Sequence, residues 1–273
     1  MIAAARDLCR TARLGPHLVH MRWQPEVASG EAVGWCEPLA QDATLTVDVT
    51  VGQVAGTEHI HFGQFESHCA HFTAKSVSGS LDWAKQTGHW RAARPVDLDH
   101  RRGQLDQALF ATFHALVLRS GGLMVHGANL MFSDRAYLVV GPSGAGKSTL
   151  AGRFPGRYGH DDTSFVVAGQ PWQVWGQRAV RAPQTDVPWA LPLAAIFFLG
   201  PDRSASAVHA LAPSVALPLL AGQTYFAGGA AMDRLACNLE QLVTSTPVFA
   251  LSHSLATPAD ELAQLLVCAV DHG

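Results

Sequence analysis

The alternation of hydrophobic and polar positions divides the chain into a strand-rich first part and a mixed second part. Residues 43–51 and 71–79 alternate apolar and polar side chains between glycines and polar turns, which predicts half-buried strands. From residue 99 to residue 119 apolar side chains recur at spacings of three and four, and two glycines follow, which predicts an amphipathic helix. We therefore expect a β-rich region at residues 1–98 and a second domain at residues 99–273.

The second part of the chain continues with predicted strands and helices. Residues 123–132 and 136–140 are apolar runs on either side of a short polar turn, which predicts two antiparallel strands. The second of these strands leads directly into a glycine-rich stretch. Further patterns predict strands at residues 194–199 and 248–251 and helices at residues 232–244 and 258–270, the last of them capped by Thr257. The expected fold class is therefore α/β.

Composition and charge argue against several classes of protein. The 273 residues include 19 Lys and Arg against 22 Asp and Glu, and a net charge of −3 does not favour nucleic acid or anionic membranes as partners. Hydrophobic residues make up 48% of the chain, yet no apolar run reaches the length of a transmembrane helix. The first ten residues lack the hydrophobic centre of a secretory signal, and the five cysteines are scattered without a paired spacing. We expect a cytoplasmic protein with reduced thiols.

Residues 141–149 carry the strongest motif of the chain. They read Gly-Pro-Ser-Gly-Ala-Gly-Lys-Ser-Thr and fill the pattern G-x-x-x-x-G-K-[ST] between an apolar strand and a helix-forming segment. Such a loop lets backbone N–H groups surround phosphates, while Lys147 reaches the β- and γ-phosphates and Ser148 holds Mg²⁺. The expected ligands are therefore ATP and Mg²⁺. The candidate nucleotide-binding residues are Gly141, Ser143, Gly144, Ala145, Gly146, Lys147, Ser148 and Thr149.

The residues outside the loop narrow the class of nucleotide-binding protein. A transporter-type ATPase needs a downstream Leu-Ser-Gly-Gly-Gln-like signature and a GTPase needs Asn-Lys-x-Asp, and neither is present. Asp161 and Asp162 instead form a vicinal pair shortly after the loop. Two adjacent carboxylates near a triphosphate suit a site where one ligates Mg²⁺ and the other accepts a proton, although an ordinary surface turn would read the same way.

His126 is a further candidate for the same site. It lies fifteen residues before Gly141, at the end of the strand that precedes the loop strand. A hairpin partner brings it beside the phosphates, where it could donate to a phosphate oxygen or to the proton-accepting Asp. The alternative is a structural histidine whose ring is satisfied by its neighbours.

The segments Met124-Val-His-Gly-Ala128, Gly141 to Thr149 and Asp161-Asp162 together resemble the HPr kinase/phosphorylase family. The nucleotide-binding core of that family is similar to that of phosphoenolpyruvate carboxykinases. The resemblance covers residues 123–165. It implies a P-loop core of mixed β-sheet with helices behind a β-rich N-terminal region.

The resemblance also implies an activity: a kinase that transfers the γ-phosphate of ATP to a hydroxyl, which we expect to be a serine of a protein or peptide. It assigns Asp161 as the base and Asp162 with Ser148 as the metal ligands, although the two acids could exchange roles. His126 and Lys147 complete the implied catalytic residues.

This chain departs from the family in ways that bear on its acceptor. The downstream signature with which HPr kinases capture HPr has no counterpart after Phe165, so HPr is not the expected acceptor. The pattern is nearer to relatives that phosphorylate a serine of a peptide precursor, and a peptide, a protein or a small-molecule hydroxyl all remain open. ATP or GTP, and a monomer or a homo-oligomer, are equally compatible with the sequence.

Two other functions fit the same motifs. The first is a nucleotide-binding regulator or assembly partner that binds ATP without phosphorylating anything. The second is a phosphorolytic or phosphoenolpyruvate-linked reaction on the same core. Binding without transfer would favour the first, and turnover of a phosphoserine substrate with inorganic phosphate would favour the second.

A histidine-rich segment in the first part of the chain is a candidate metal site. Residues 58–61 read Glu-His-Ile-His and residues 68–71 read His-Cys-Ala-His. The spacings match no established ligand pattern, and alternating polar positions on a half-exposed strand give the same text. We therefore assign no metal to this segment from its sequence.

Overall fold

Five helices and eighteen strands make up the described part of the chain. The computed structural model describes residues 8–14, 17–23, 28–29, 45–51, 53–54, 60–75, 77–93, 96–97, 104–155, 158–160, 162–175, 190–202, 204–225 and 228–271. The protein is mixed α/β and rich in strands, with two mixed sheets. This agrees with the predicted fold class at that level.

The bounds of the elements are as follows. The strands of the first half are β1 (Leu8–Leu14), β2 (His17–Trp23), β3 (Ala28–Ser29), β4 (Leu45–Val51), β5 (His61–Phe65), β6 (Cys69–Thr73), β7 (Val77–Asp82), β8 (Thr87–Ala92) and β9 (Val96–Asp97). The strands of the second half are β10 (Leu123–Phe132), β11 (Arg135–Val140), β12 (Tyr158–His160), β13 (Thr163–Val167), β14 (Gln173–Trp175), β15 (Ala190–Leu199), β16 (Ala207–Ala210), β17 (Gly228–Gly229) and β18 (Val248–Ser252). The helices are α1 (Gln104–Arg119), α2 (Lys147–Ala151), α3 (Pro213–Ala221), α4 (Met232–Ser245) and α5 (Ala259–Asp271).

The chain divides into two compact units. Unit 1 comprises Met1–Arg119, Arg178–Arg181 and Phe226–Asp233, and unit 2 comprises Ser120–Gln177, Ala182–Tyr225 and Arg234–Gly273.

Unit 1 is built on one eight-stranded sheet in the described part of the chain, with the order β1-β2-β4-β8-β7-β6-β5-β17. On β4 the side chains of Leu45, Val47 and Val49 are buried and alternate with more exposed positions, as the sequence predicts. The predicted strand at 71–79 is wrong as a single element. It is a hairpin of β6 and β7, closed by a hydrogen bond from Ala74 N to Val77 O of 2.7 Å.

Helix α1 belongs to unit 1. It contacts β7 and β9, and its side chains Leu109, Phe113 and Leu116 are almost fully buried. The sequence predicts this helix at the start of a second domain that spans residues 99–273. The division into units instead falls after Arg119, because the apolar face of α1 packs on the first sheet.

Unit 2 is built on strands that pair in a closed circuit. The order β11-β10-β13-β14-β15-β18-β16 is joined by a further parallel pairing between β11 and β15. The long strands β10 and β15 each pair with different partners along their length, which closes the circuit. A hydrophobic core of unit 2 contains Tyr137 of β11, Phe197 of β15 and Phe249 of β18 together with Leu262 and Leu266 of α5.

Most elements predicted for this part of the chain are confirmed. Strands β10 and β11 match the predicted pair at 123–132 and 136–140 closely, and β15, β18, α4 and α5 lie where the apolar patterns place them. Helix α3 was not predicted. None of the helices in the described ranges is long and apolar enough to cross a membrane.

Candidate functional site

The register of three neighbouring strands brings the predicted site residues together. His126 on β10 lies opposite Thr163, the first residue of β13. Gly127, the next residue of β10, lies opposite Val140, the last residue of β11. The glycine loop, residues 141–146, therefore begins close to His126 on one side of β10. Asp162 immediately precedes β13, which lies on the other side of β10.

Hydrogen bonds between β10 and β13 hold this arrangement. The backbone N–H of Gly127 donates to the carbonyl oxygen of Asp162 at 3.1 Å, which fixes the backbone of that acid. The buried Ser164 hydroxyl donates to the carbonyl of Gly127 at 2.9 Å and accepts from the Asn129 amide at 3.2 Å. These bonds satisfy polar groups that would otherwise be buried without partners.

The glycine loop has the backbone that its sequence requires. Gly144 and Gly146 have φ angles of 78° and 95°, in the left-handed region that residues with a Cβ rarely adopt. After the loop, α2 is a short helix, and Leu150 and Ala151 anchor it in the core of unit 2. The loop is thus held between a buried strand and a buried helical turn.

Lys147 is buried at the end of the glycine loop. Its ammonium donates to the carbonyl oxygens of Gly141 at 2.7 Å and Pro142 at 3.2 Å. Ser148 and Thr149, which follow it, are exposed to solvent. The loop carbonyls therefore orient the lysine, while the next two side chains remain accessible.

His126 contacts an acid and a phenol through the same ring nitrogen. Its Nδ1 lies 3.5 Å from Oδ1 of Asp162 and 3.5 Å from the hydroxyl of Tyr225. The Tyr225 hydroxyl also lies 3.1 Å from the Thr163 hydroxyl. The carboxylate of Asp162 is 54% exposed and the ring of His126 33%, so this group opens to solvent.

The charges in this group act on one another. Burial and the positive charge of Lys147 lower the pKa of His126, and the Asp162 carboxylate partly offsets them. Burial also lowers the pKa of Lys147, and the Asp162 carboxylate partly offsets this effect. Burial raises the pKa of Tyr225, which keeps its hydroxyl protonated and able to donate.

The structure therefore brings together three of the four side chains predicted to flank the terminal phosphate, namely His126, Lys147 and Asp162. Asp161, the predicted base, lies outside the described residues. Its role stays a prediction. Ser148, the other predicted metal ligand, is exposed at the start of α2.

Tyr225 was missed by the sequence analysis. It follows α3 in a stretch with no motif, and it reaches the site because residues 223–225 run antiparallel to β10. His126 N donates to Gln223 O at 2.7 Å and Tyr225 N donates to Met124 O at 2.9 Å. These two hydrogen bonds form the isolated antiparallel bridge between Val125 and Thr224, and no sequence pattern reports a pairing of this kind.

No protein-family model matches the chain, and no curated protein matches it. The residues around Lys147 are therefore the features of this chain that bear on its function.

Proposed function

We propose that this protein is a kinase of the HPr-kinase-related type, which uses ATP and Mg²⁺ to phosphorylate a hydroxyl group. The acceptor that we favour is a serine of a peptide or protein. The observation that supports this most directly is the convergence of Lys147, His126 and Asp162 at the end of the glycine loop.

Lys147 would bind the terminal phosphates. An ammonium has three N–H donors, and the loop carbonyls take two of them, so the side chain is oriented before nucleotide binds. A phosphate oxygen would accept the third. Little reorganisation is then needed on binding, which favours affinity.

The oxygen donors beside the loop suit Mg²⁺. The exposed Ser148 hydroxyl and the exposed Asp162 carboxylate are hard ligands of the kind that Mg²⁺ prefers. The ion would neutralise charge on the phosphates during transfer. We propose these two residues as its protein ligands.

His126 and Asp161 would act on the acceptor side of the reaction. A neutral His126 can donate to a phosphate oxygen through Nε2 when its Nδ1 accepts a hydrogen bond from the Tyr225 hydroxyl. The acceptor O–H would give its proton to Asp161 as the new oxygen–phosphorus bond forms and ADP leaves.

Nucleotide binding is the first test. We expect Lys147→Ala to weaken MgATP binding by about tenfold or more, because a charge-assisted hydrogen bond contributes about 1.5 to 3 kcal/mol. Isothermal titration calorimetry measures the affinity. Lys85→Ala is the matched control, since Lys85 is an exposed lysine of unit 1 paired with Asp82. Equal affinities for the native chain and Lys147→Ala would contradict the nucleotide site.

Phosphoryl transfer is the second test. We expect Asp161→Asn to retain MgATP binding and to lose transfer from γ-labelled ATP to serine-containing peptides by about 100-fold or more. Full transfer in this variant would refute the choice of base. A native chain that binds MgATP but phosphorylates no peptide, protein or small alcohol would instead favour the nucleotide-binding regulator.

A further inference from the structure

We propose that the turn between β5 and β6 in unit 1 is a zinc site whose ligands are Glu66, His68 and Cys69. This site lies outside the proposed kinase centre and does not depend on it. Ligand atoms of the three side chains all lie within 4.8 Å of one another, and the site is empty.

The backbone of the turn holds these residues in place. Glu66 N donates to Cys69 O at 2.8 Å, so these two residues face each other across the turn. Residues that face each other across a hairpin project their side chains to the same side. Trp83 N donates to His68 O at 2.8 Å, which fixes the backbone of His68 against the turn between β7 and β8.

The spacing of the ligand atoms fits a tetrahedral ion. His68 Nε2 lies 3.4 Å from Glu66 Oε2. Around tetrahedral Zn²⁺, with ligand atoms about 2.0 to 2.3 Å from the metal, neighbouring ligand atoms are about 3.3 to 3.8 Å apart. Two of the three ligands therefore already have the separation that the ion requires.

The carboxylate of Glu66 is also oriented from outside the cluster. Its second oxygen, Oε1, accepts a hydrogen bond of 2.7 Å from the side-chain amide of Gln64. Protein metal ligands are commonly held in this way by an outer partner. Oε1 is thereby occupied while Oε2 stays directed at His68.

The charges around the thiol favour a cation. Two acidic residues flank the cysteine, since Glu66 faces Cys69 across the turn and Asp82 lies opposite Cys69 in the pairing of β6 with β7. A sulfur, an imidazole nitrogen and a carboxylate oxygen form a ligand set typical of Zn²⁺ rather than of Mg²⁺. His68 and Glu66 are exposed, so solvent can occupy the fourth position.

This ligand set differs from the histidine-rich reading of the sequence. Of the four histidines weighed there, only His68 belongs to the cluster. His59 lies outside the described residues, and His61 on β5 and His71 on β6 do not belong to the cluster of ligand atoms. The cysteine and a glutamate that the sequence pattern did not single out supply the other ligands.

The test uses the full chain, reduced and freed of metal by a chelator, titrated with Co²⁺ as a spectroscopic substitute for Zn²⁺. We expect a sulfur-to-cobalt charge-transfer band and tetrahedral visible bands that saturate at one equivalent, and Zn²⁺ should abolish both. Cobalt at the proposed magnesium ligands would give no sulfur band, because those ligands are oxygens. Failure of this site therefore leaves the proposed kinase function untouched.

Variants identify the ligands. Cys69→Ser should lose the charge-transfer band, and His68→Gln and Glu66→Gln should each raise the Co²⁺ dissociation constant by about tenfold or more. Cys237→Ser and His71→Gln are matched controls that should bind as the native chain does, and circular dichroism verifies folding. A missing sulfur band in the native chain, or a band that survives in Cys69→Ser, would overturn the proposal.

Discussion

Two charges and a buried environment determine the protonation of His126. Burial and Lys147 lower its pKa, and Asp162 raises it, so the net direction is downward from 6.5 and the ring is mostly neutral at pH 7. A neutral ring has one donor and one acceptor nitrogen. The contacts at Nδ1 therefore decide what Nε2 can do.

Removing the charge of Lys147 and removing the charge of Asp162 should move the pKa of His126 in opposite directions. In Lys147→Met the repulsion of the protonated ring is lost, so we expect the pKa of His126 to rise. In Asp162→Asn the attraction is lost, so we expect it to fall. Nuclear magnetic resonance of the ring C–H signals against pH measures both, with His209 on β16 as the control histidine. Shifts of the same sign in the two variants would contradict the proposed geometry.

At the scale of residues, the sequence indicated candidate residues for the site but not the side-chain contacts that they make. The sequence pointed to the loop motif, His126 and Asp162 because each residue type has a stated role in binding phosphate or Mg²⁺, whereas Asp161 lies outside the described residues and stays a prediction. Tyr225 and Thr163 were not predictable as parts of the site. Their hydroxyls meet only because two stretches distant in the chain lie on neighbouring positions of the unit 2 sheet.

Strand β10 is the element on which the site depends. Its pairing with β11 begins at Gly127, directly after the residues that pair with β13 on its other side. A Cβ at Gly127 would lie 2.9 Å from the carbonyl oxygen of Val139 and 3.0 Å from the Val140 side chain. A glycine is needed so that β10 and β11 can approach this closely just before the glycine loop.

Gly127→Ala should therefore separate β10 from β11 and displace the loop. We expect a loss of about 1 to 3 kcal/mol in the free energy of unfolding and weaker MgATP binding. Urea unfolding and calorimetry measure the two effects. Gly63→Ala on β5 is the control, because nothing lies within 4 Å of its Cβ position. Equal losses in the two variants would show that the crowding at Gly127 is unimportant.

At the scale of elements, hydrophobic periodicity predicted long, uniform segments well and short ones poorly. β10 is a long run of mostly apolar positions, and α5 has apolar side chains at helical spacing, so both elements are clear in the sequence. The hairpin of β6 and β7 has the same alternation on both sides of its turn, which hides the break. Helix α3 contains Pro218 and two exposed hydrophobic side chains, so it lacks a clear amphipathic pattern.

The stability of the whole molecule should depend on a buried histidine of α1. His114 is completely buried against Phe62, and neither ring nitrogen has a hydrogen-bond partner among the described residues. Burial lowers its pKa to about 4. Below pH 6.5 the unfolded chain binds this proton more readily than the folded chain, so stability falls as the pH drops from 6.5 towards 4.

His114→Leu should remove this acid sensitivity. Between pH 7 and pH 5 we expect its free energy of unfolding, relative to the native chain, to increase by about 2 kcal/mol. Urea unfolding at the two pH values measures the difference. His209→Leu, at an exposed position, should show no comparable change. A native chain and a His114→Leu chain with parallel pH profiles would show that this histidine gains its proton as easily folded as unfolded.

The division of the molecule also shows what a linear reading of the chain misses. The first sheet ends on β17, which pairs with β5 although two of the three segments of unit 2, Ser120–Gln177 and Ala182–Tyr225, separate them in the chain. Apolar patterns report which face of a segment is buried, but not what it is buried against. The assignment of α1 to the first unit could not be made from its own residues for this reason.

The sequence by itself determined the glycine loop, the main strands and helices of unit 2 and the choice of His126 as a site residue. These follow from local rules, since a left-handed backbone needs glycine and a half-buried element needs a regular apolar period. Only the tertiary structure decided the partners, including Tyr225 beside His126 and Glu66 beside His68 and Cys69. Tyr225 reaches His126 through the pairing of two stretches that are distant in the chain, whereas Glu66 meets His68 and Cys69 through the geometry of one turn. An apolar pattern reports neither.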